Sequence, residues 1–256
     1  VIVPAPLGET EIRSTILVTR HDDRVVVQLN RPSVRNAINQ AMVDELHAVC
    51  AELEVAPRLL ILVGGDGVFA SGADIAELRE RTAADALRGI NTGLFIRIAD
   101  LPMPVIAALD GWALGGGAEL AFAADFRIGT TRLKIGNPET GLGIVAPAGA
   151  LWRLRELVGE PLAKEILLAG RILSADEALA AHLVTRLVEP ADLLAAANAL
   201  ADEISSKDSL ATRYTKSIMS TARGDHPRVD LEAQAVLFES PEKHRRMTEF
   251  LERRQK

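Results

Sequence analysis

A chain of 256 residues, 48% of them hydrophobic, can bury a core of its own without disulfide or metal support. Its 29 Lys and Arg against 35 Asp and Glu leave a net charge of −6, which argues against a nucleic-acid surface as its main business. A single cysteine, Cys50, excludes an internal disulfide and any multi-cysteine metal site. No apolar run reaches the roughly 18–20 residues of a membrane span. The opening VIVPAPLGETEIR lacks the basic-then-apolar order of a secretory signal, so a cytoplasmic protein in a reducing compartment is expected.

Residues 12–19 and 24–30 are β-branched runs separated by HDD, the pattern of two strands and a tight turn. Past Pro32, Met42, Leu46, Val49 and Leu53 recur at spacings of four, three and four, one face of a helix that ends near Pro57. Residues 59–63 (LLILV), 105–109 (VIAAL), 126–130 (FRIGT) and 183–188 (LVTRLV) read as strands. Helical patterns occupy 75–98, 116–124, 148–158, 161–168 and 175–181, so strands alternate with helices and the architecture is α/β. From about Ala191 four helical patterns follow with no strand between them. This divides the chain into a core of residues 1–190 and a helical region of 191–256.

Three glycine-rich places stand out. VGGDGVFASGADIAEL (63–78) leaves a buried strand, and Asp74 with Glu77 has the D-x-x-E form of a capping box starting a helix at Ile75. In ALDGWALGGGAELAFAAD (108–125), three consecutive glycines are poor helix interior and read as a close-approach turn into a helix. The Gly116 N–H would then face outward at a helix start, where unpaired donors suit an oxygen that gains negative charge. Glu119, among Ala and Leu, is either a buried carboxyl with a raised pKa or a cap of its own helix N-terminus. In KIGNPETGLGIVAPAGALWRL (134–154), Glu139 has little basic charge nearby and is a second candidate carboxylate.

Other chemistries lack their signatures. GLGIVA fits G-x-G-x-x-A but follows NPET and not a strand, against a dinucleotide site. There is no G-x-S-x-G, G-x-x-x-x-G-K-[ST] or H-E-x-x-H, the five histidines are scattered with no acid at ligand spacing, and Cys50 reads as an inert, partly buried thiol. No metal site is expected.

The ordered stretches NRPSVRNAIN (30–39), GVFASGADIAEL (67–78), PVIAALDGWALGGGAELAFAADFRI (104–128), NPETGLGI (137–144) and LLAGRILSADEALAAHLVTRLV (167–188) resemble the crotonase superfamily, the enoyl-CoA hydratase/isomerase family. The resemblance implies a spiral of repeated ββα units with C-terminal helices that make trimers, often stacked as hexamers. It implies that the backbone N–H groups of Ala73 and Gly116 polarise a thioester oxygen and that Glu119 and Glu139 handle the protons of hydration. It places Arg35, Ala37, Ser71, Ala73 and Ile75 beside the coenzyme A part of an acyl-CoA thioester, which is substrate, so no separate cofactor is expected. IVAPAGALWRL departs from the GGTQRL-type string of many hydratases at Pro147 and Ala150. An enoyl-CoA isomerase is the alternative within the family, and a non-catalytic acyl-CoA binding or scaffold protein the alternative outside it. In the third tail helix, Leu231, Val236, Leu237 and Phe238 present more apolar surface than a free helix should, and a subunit contact is expected there.

Overall fold

The computed structural model describes residues 8–253. Most of the opening stretch read for a leader, and Arg254 of the last helical pattern, lie outside them. Three strands open the fold: β1 (Thr10–Ile12), β2 (Ile16–Arg20) and β3 (Arg24–Leu29), joined as an antiparallel meander. Helix α1 (Gln40–Val55) follows, capped where the Asn39 side chain accepts from the Met42 N–H, and it buries Met42, Leu46, Val49 and Leu53. Cys50 is buried on the same helix, and burial pushes its thiol up to about 12.

The chain then makes three passes of the same kind. The first runs β4 (Leu59–Val63), β5 (Val68–Ala70) and the helices α2 (Ile75–Glu80), α3 (Ala83–Arg88) and α4 (Ile90–Ala99). The second runs β6 (Val105–Leu109), β7 (Trp112–Leu114) and α5 (Gly116–Phe122). The third runs β8 (Phe126–Thr130), β9 (Lys134–Gly136), a π-helical stretch at Ala150–Leu154, α6 (Arg155–Val158) and α7 (Glu160–Ala169). Each pass gives its first strand to one sheet and its second strand to another. With β10 (Ile172–Ser174), α8 (Ala175–Ala180) and β11 (Arg186–Val188), the sheets are seven-stranded, β1-β2-β3-β4-β6-β8-β11, and four-stranded, β10-β9-β7-β5. This is the repeated ββα architecture anticipated above.

Strands β3, β4, β6, β8 and β11 are parallel neighbours. Their apolar character follows from that position, because a parallel sheet is covered on both faces: Leu59, Leu60, Ile61 and Leu62 are all at most 1% exposed. The four-stranded sheet differs from expectation, since its β5, β7, β9 and β10 have only three residues each and carry no long β-branched run.

Local chemistry explains the other departures. The pattern at 75–98 forms three helices because Thr82 starts a new one through a closed capping box with Asp85, and Gly89 adopts φ +61°. At 183–188 only the last three residues pair with β8. Leu183 and Val184 turn into the core, their amides held by the Ala178 carbonyl, while the buried Arg127 donates to the Leu183 carbonyl. Asp74 does cap α2, accepting from the Ala76 N–H, but Glu77 does not close the box; its carboxylate accepts from the Gln40 N–H across the chain. His226, read among histidines with no acid at ligand spacing, meets Asp230 four positions on at 2.5 Å.

Helix α9 (Leu193–Ser205) buries Leu193, Ala197, Leu200 and Ala201, and Arg24 donates to both the backbone and side-chain oxygens of Asn198. The compact unit that contains both sheets therefore extends to Ala201. The residues from Asp202 onward form a second unit, built from the end of α9 with α10 (Ser209–Met219), α11 (Arg228–Phe238) and α12 (Pro241–Arg253). In this unit Arg246 donates to the Ser206 carbonyl, and Leu231, Val236 and Phe238 are 48–65% exposed. Among the described residues no helix is long and apolar enough to cross a membrane.

Candidate active site

The second strand of each pass ends at the same place. Strands β5, β7 and β9 run parallel, with Ala70 beside Ala113 past a register shift in β5 and Leu114 beside Gly136, so the segments that leave them emerge together. Ala73 follows β5, Gly116 follows β7, and Asn137 and Glu139 follow β9. Their shared position is the carboxyl end of three parallel strands, where α/β folds place their sites.

Three glycines permit the close approach. Gly115 has φ +51° and ψ −125°, a conformation reserved for glycine, and a Cβ there would lie 3.0 Å from Glu139 Oε1. Gly72 has φ +118° and faces the Leu114 carbonyl. A Cβ on Gly117 would collide with the Ala70 carbonyl oxygen, so α5 packs on β5 only through glycine.

The two backbone donors are oriented by their surroundings. Ile38 pairs with the loop on one side only, its N–H donating to the Gly72 carbonyl and its carbonyl accepting from the Asp74 N–H. The Ala73 N–H between them therefore points the other way, toward Gly116. A Cβ on Gly116 would lie 3.3 Å from the Ala73 nitrogen. Neither amide has an acceptor among the described residues. Gly116 also opens α5, where the first-turn N–H groups lack helical partners.

Glu119 and Glu139 face the same cavity, of about 630 Å³, as the two amides. Glu119 is 3% exposed; its Oε1 accepts from the Ala148 N–H at 2.6 Å and the Ala150 N–H at 3.2 Å. It caps no part of its own helix. Burial pushes its carboxyl up to about 8, the two amides oppose that shift, and the neighbouring Glu139 adds to it. Glu139 is 9% exposed and is also raised by burial, with Asn137 Nδ2 at 3.4 Å from Oε1 pulling the other way. Glu139 Oε2 is sealed and has no hydrogen-bond partner. No Lys or Arg pairs with either carboxyl among the described residues. Two unpaired carboxyls and two free amides on one cavity can exchange protons beside an oxygen that is becoming negative.

Ser71 and Ile75 line this cavity with Ala73, Gly116, Glu119 and Glu139. Arg35 and Ala37 are not among its lining residues. Arg35 is exposed with φ +53°, and its carbonyl accepts from the Ser71 N–H; the Ala37 carbonyl accepts from Arg31 Nη1 at 2.5 Å. Both brace the loop from behind. Sequence reasoning missed the amides of Ala148 and Ala150, which hold Glu119, and it missed Asn137 and Asn91. The backbone donors belong to the same IVAPAGALWRL string whose departure had been noted. Asn91 left little trace, since GINTGLFIRI also carries the polar Thr92 and Arg97.

Comparison with known proteins settles the family. The family model described as enoyl-CoA hydratase/isomerase matches residues 21–256. The chain belongs to the enoyl-CoA hydratase/isomerase family. Among its relatives, the crotonyl-CoA hydratase of Syntrophomonas wolfei is 36% identical over 93% of this chain and 95% of its own length. The short-chain-enoyl-CoA hydratase of Clostridium acetobutylicum is 35% identical over 94% and 96%. The crystal structure of an enoyl-CoA hydratase from Bacillus anthracis superposes with a TM-score of 0.86 at 29% identity, covering 96% of each chain. Family membership thus extends over both compact units.

Proposed function

We propose that this protein is an enoyl-CoA hydratase that adds water across the 2,3 double bond of an acyl-CoA thioester. The observation that carries the reading is the pair of buried, cation-free carboxyls, Glu119 and Glu139, on one cavity with the unpaired amides of Ala73 and Gly116. The hydratases among its relatives support it.

A thioester carbonyl withdraws electrons from the adjoining C=C. The N–H groups of Ala73 and Gly116 stabilise the oxygen as it becomes enolate-like, and one such donor is typically worth about 3–4 kcal/mol. Burial raises both carboxyls, and Glu139 adds to the shift of Glu119. As the Cβ–O bond forms, one carboxylate accepts a proton from the water, and the other carboxyl supplies the proton that completes Cα. We assign the delivery at Cα to Glu139. Ser71, Ala73 and Ile75 lie along the route we assign to the pantetheine arm, with Arg35 and Ala37 supporting that loop. The exposed apolar side chains Leu231, Val236 and Phe238 support the further proposal that the region 191–256 assembles the chain into trimers or hexamers.

A panel of 2-enoyl and 3-enoyl thioesters of coenzyme A, followed in water labelled with ¹⁸O and deuterium, tests the reaction. Hydration puts ¹⁸O on C3 and deuterium on C2. A moved double bond without ¹⁸O identifies an isomerase, and tight binding without turnover a binding protein. Sedimentation tests the assembly, and a monomer at micromolar concentration would overturn it.

A further inference from the structure

Asn91 stands in the first turn of α4 and lines the cavity that holds Glu119 and Glu139. Its Oδ1 is sealed from solvent and has no hydrogen-bond partner. The end of the carboxamide that meets the cavity is therefore Nδ2, a donor. A Cβ placed on Gly116 would lie 3.6 Å from Asn91 Nδ2 and 3.3 Å from the Ala73 nitrogen. The Ala73 nitrogen and Asn91 Nδ2 thus lie against the same side of Gly116, whose own N–H is unpaired. The carboxamide plays no visible structural part, since no hydrogen bond ties either of its ends to the protein among the described residues.

We propose that Asn91 Nδ2 donates a third hydrogen bond to the thioester oxygen held by Ala73 and Gly116. This deepens the hydratase reading and rests on it for the identity of the substrate. A donor that follows charge onto the oxygen strengthens as the enolate forms, so Asn91 acts on turnover more than on binding. Because it is a side chain, it can be removed by substitution, unlike the two backbone amides.

The test combines steady-state kinetics with infrared difference spectra of a bound enoyl-CoA carrying ¹³C at the thioester carbonyl. In the wild-type protein the C=O stretch of the bound thioester is expected at lower frequency than in free solution. Asn91→Leu is expected to move it part of the way back, to lower kcat by about 10- to 100-fold and to leave KM within about threefold. Asn91→Gln keeps a donor in a shifted position and is expected to recover part of both. Should circular dichroism find Asn91→Leu unfolded, the near-isosteric Asn91→Asp, which also lacks the donor, carries the same test. A C=O frequency and kcat equal to wild type in a folded Asn91→Leu protein overturn the proposal. If instead the wild type polarises the carbonyl, Asn91→Leu loses that polarisation, and no thioester is hydrated, then the hydratase reading fails while the contact stands.

Discussion

Three passes of chain each give one strand to either sheet of the core, yet the two sheets are different kinds of object. The seven-stranded sheet consists of runs such as LLILV and VIAAL, whose residues are buried on both faces and whose place follows from hydrophobicity alone. The four-stranded sheet consists of three-residue strands, bordered by glycines, that pair because the larger sheet brings them together. One sheet supplies stability. The other supplies position: every backbone donor and carboxyl of the site leaves the end of one of its strands or the helix that follows. A short, glycine-bordered strand lets backbone amides approach a ligand, which a covered hydrophobic strand cannot do.

Substitutions that divide position from stability give the sharpest test of this contrast. The largest effect is expected at the carboxyls: Glu119→Gln and Glu139→Gln should each lower kcat by about two to four orders of magnitude, with thioester affinity by calorimetry mostly retained. Near-normal turnover in both would break the proton-transfer reading and leave the small sheet without its chemical role.

The Glu119 carboxyl also couples the site to stability. Its pKa is raised from 4.5 in the unfolded reference to about 8 in the fold, so the folded state binds the proton more tightly. That contribution is fully present below about pH 4.5 and is lost as pH rises through about 8, roughly 5 kcal/mol for the whole shift. Urea denaturation should find the wild type losing more stability between pH 5 and 9 than Glu119→Gln does. Equal slopes would mean that Glu119 titrates normally.

In the large sheet, Leu62→Ala should cost about 2–5 kcal/mol of unfolding free energy while leaving kcat per folded molecule close to wild type. In the small sheet, Gly117→Ala forces α5 away from the Ala70 carbonyl, with an expected cost of about 1–3 kcal/mol. Despite that smaller cost it should lower kcat by about tenfold or more, because Gly116 and Glu119 ride on the displaced helix. Thermal melts and initial rates measured together check the pair. A Leu62→Ala protein that loses kcat, or a Gly117→Ala protein that keeps it, would undo the division of labour.

Most of the large sheet could be read directly, because burial on two faces requires unbroken apolar runs and α1 requires its four-three-four spacing. The site was half legible. Glycine triplets and a carboxylate with no basic neighbour are local signals, and they pointed to Gly116, Glu119 and Glu139. The partners of those groups are not local: Ala148 and Ala150 reach Glu119 from about 30 positions away, and Ile38 turns the Ala73 amide from 35 away. Arg35 and Ala37, named from the resemblance, are as distant along the chain as Ile38 and stand outside the lining of the cavity.

By itself the sequence determined the α/β class, the long strands, the four tail helices and the two carboxyls, since each rests on the periodicity or composition of a short window. Only the tertiary structure decided that four three-residue strands form a second sheet, that Asn91 lines one cavity with two unpaired backbone amides, and that Glu119 is buried with a raised pKa. Those outcomes depend on contacts between distant segments, and hydrogen bonds and desolvation act through space, where chain position leaves no mark.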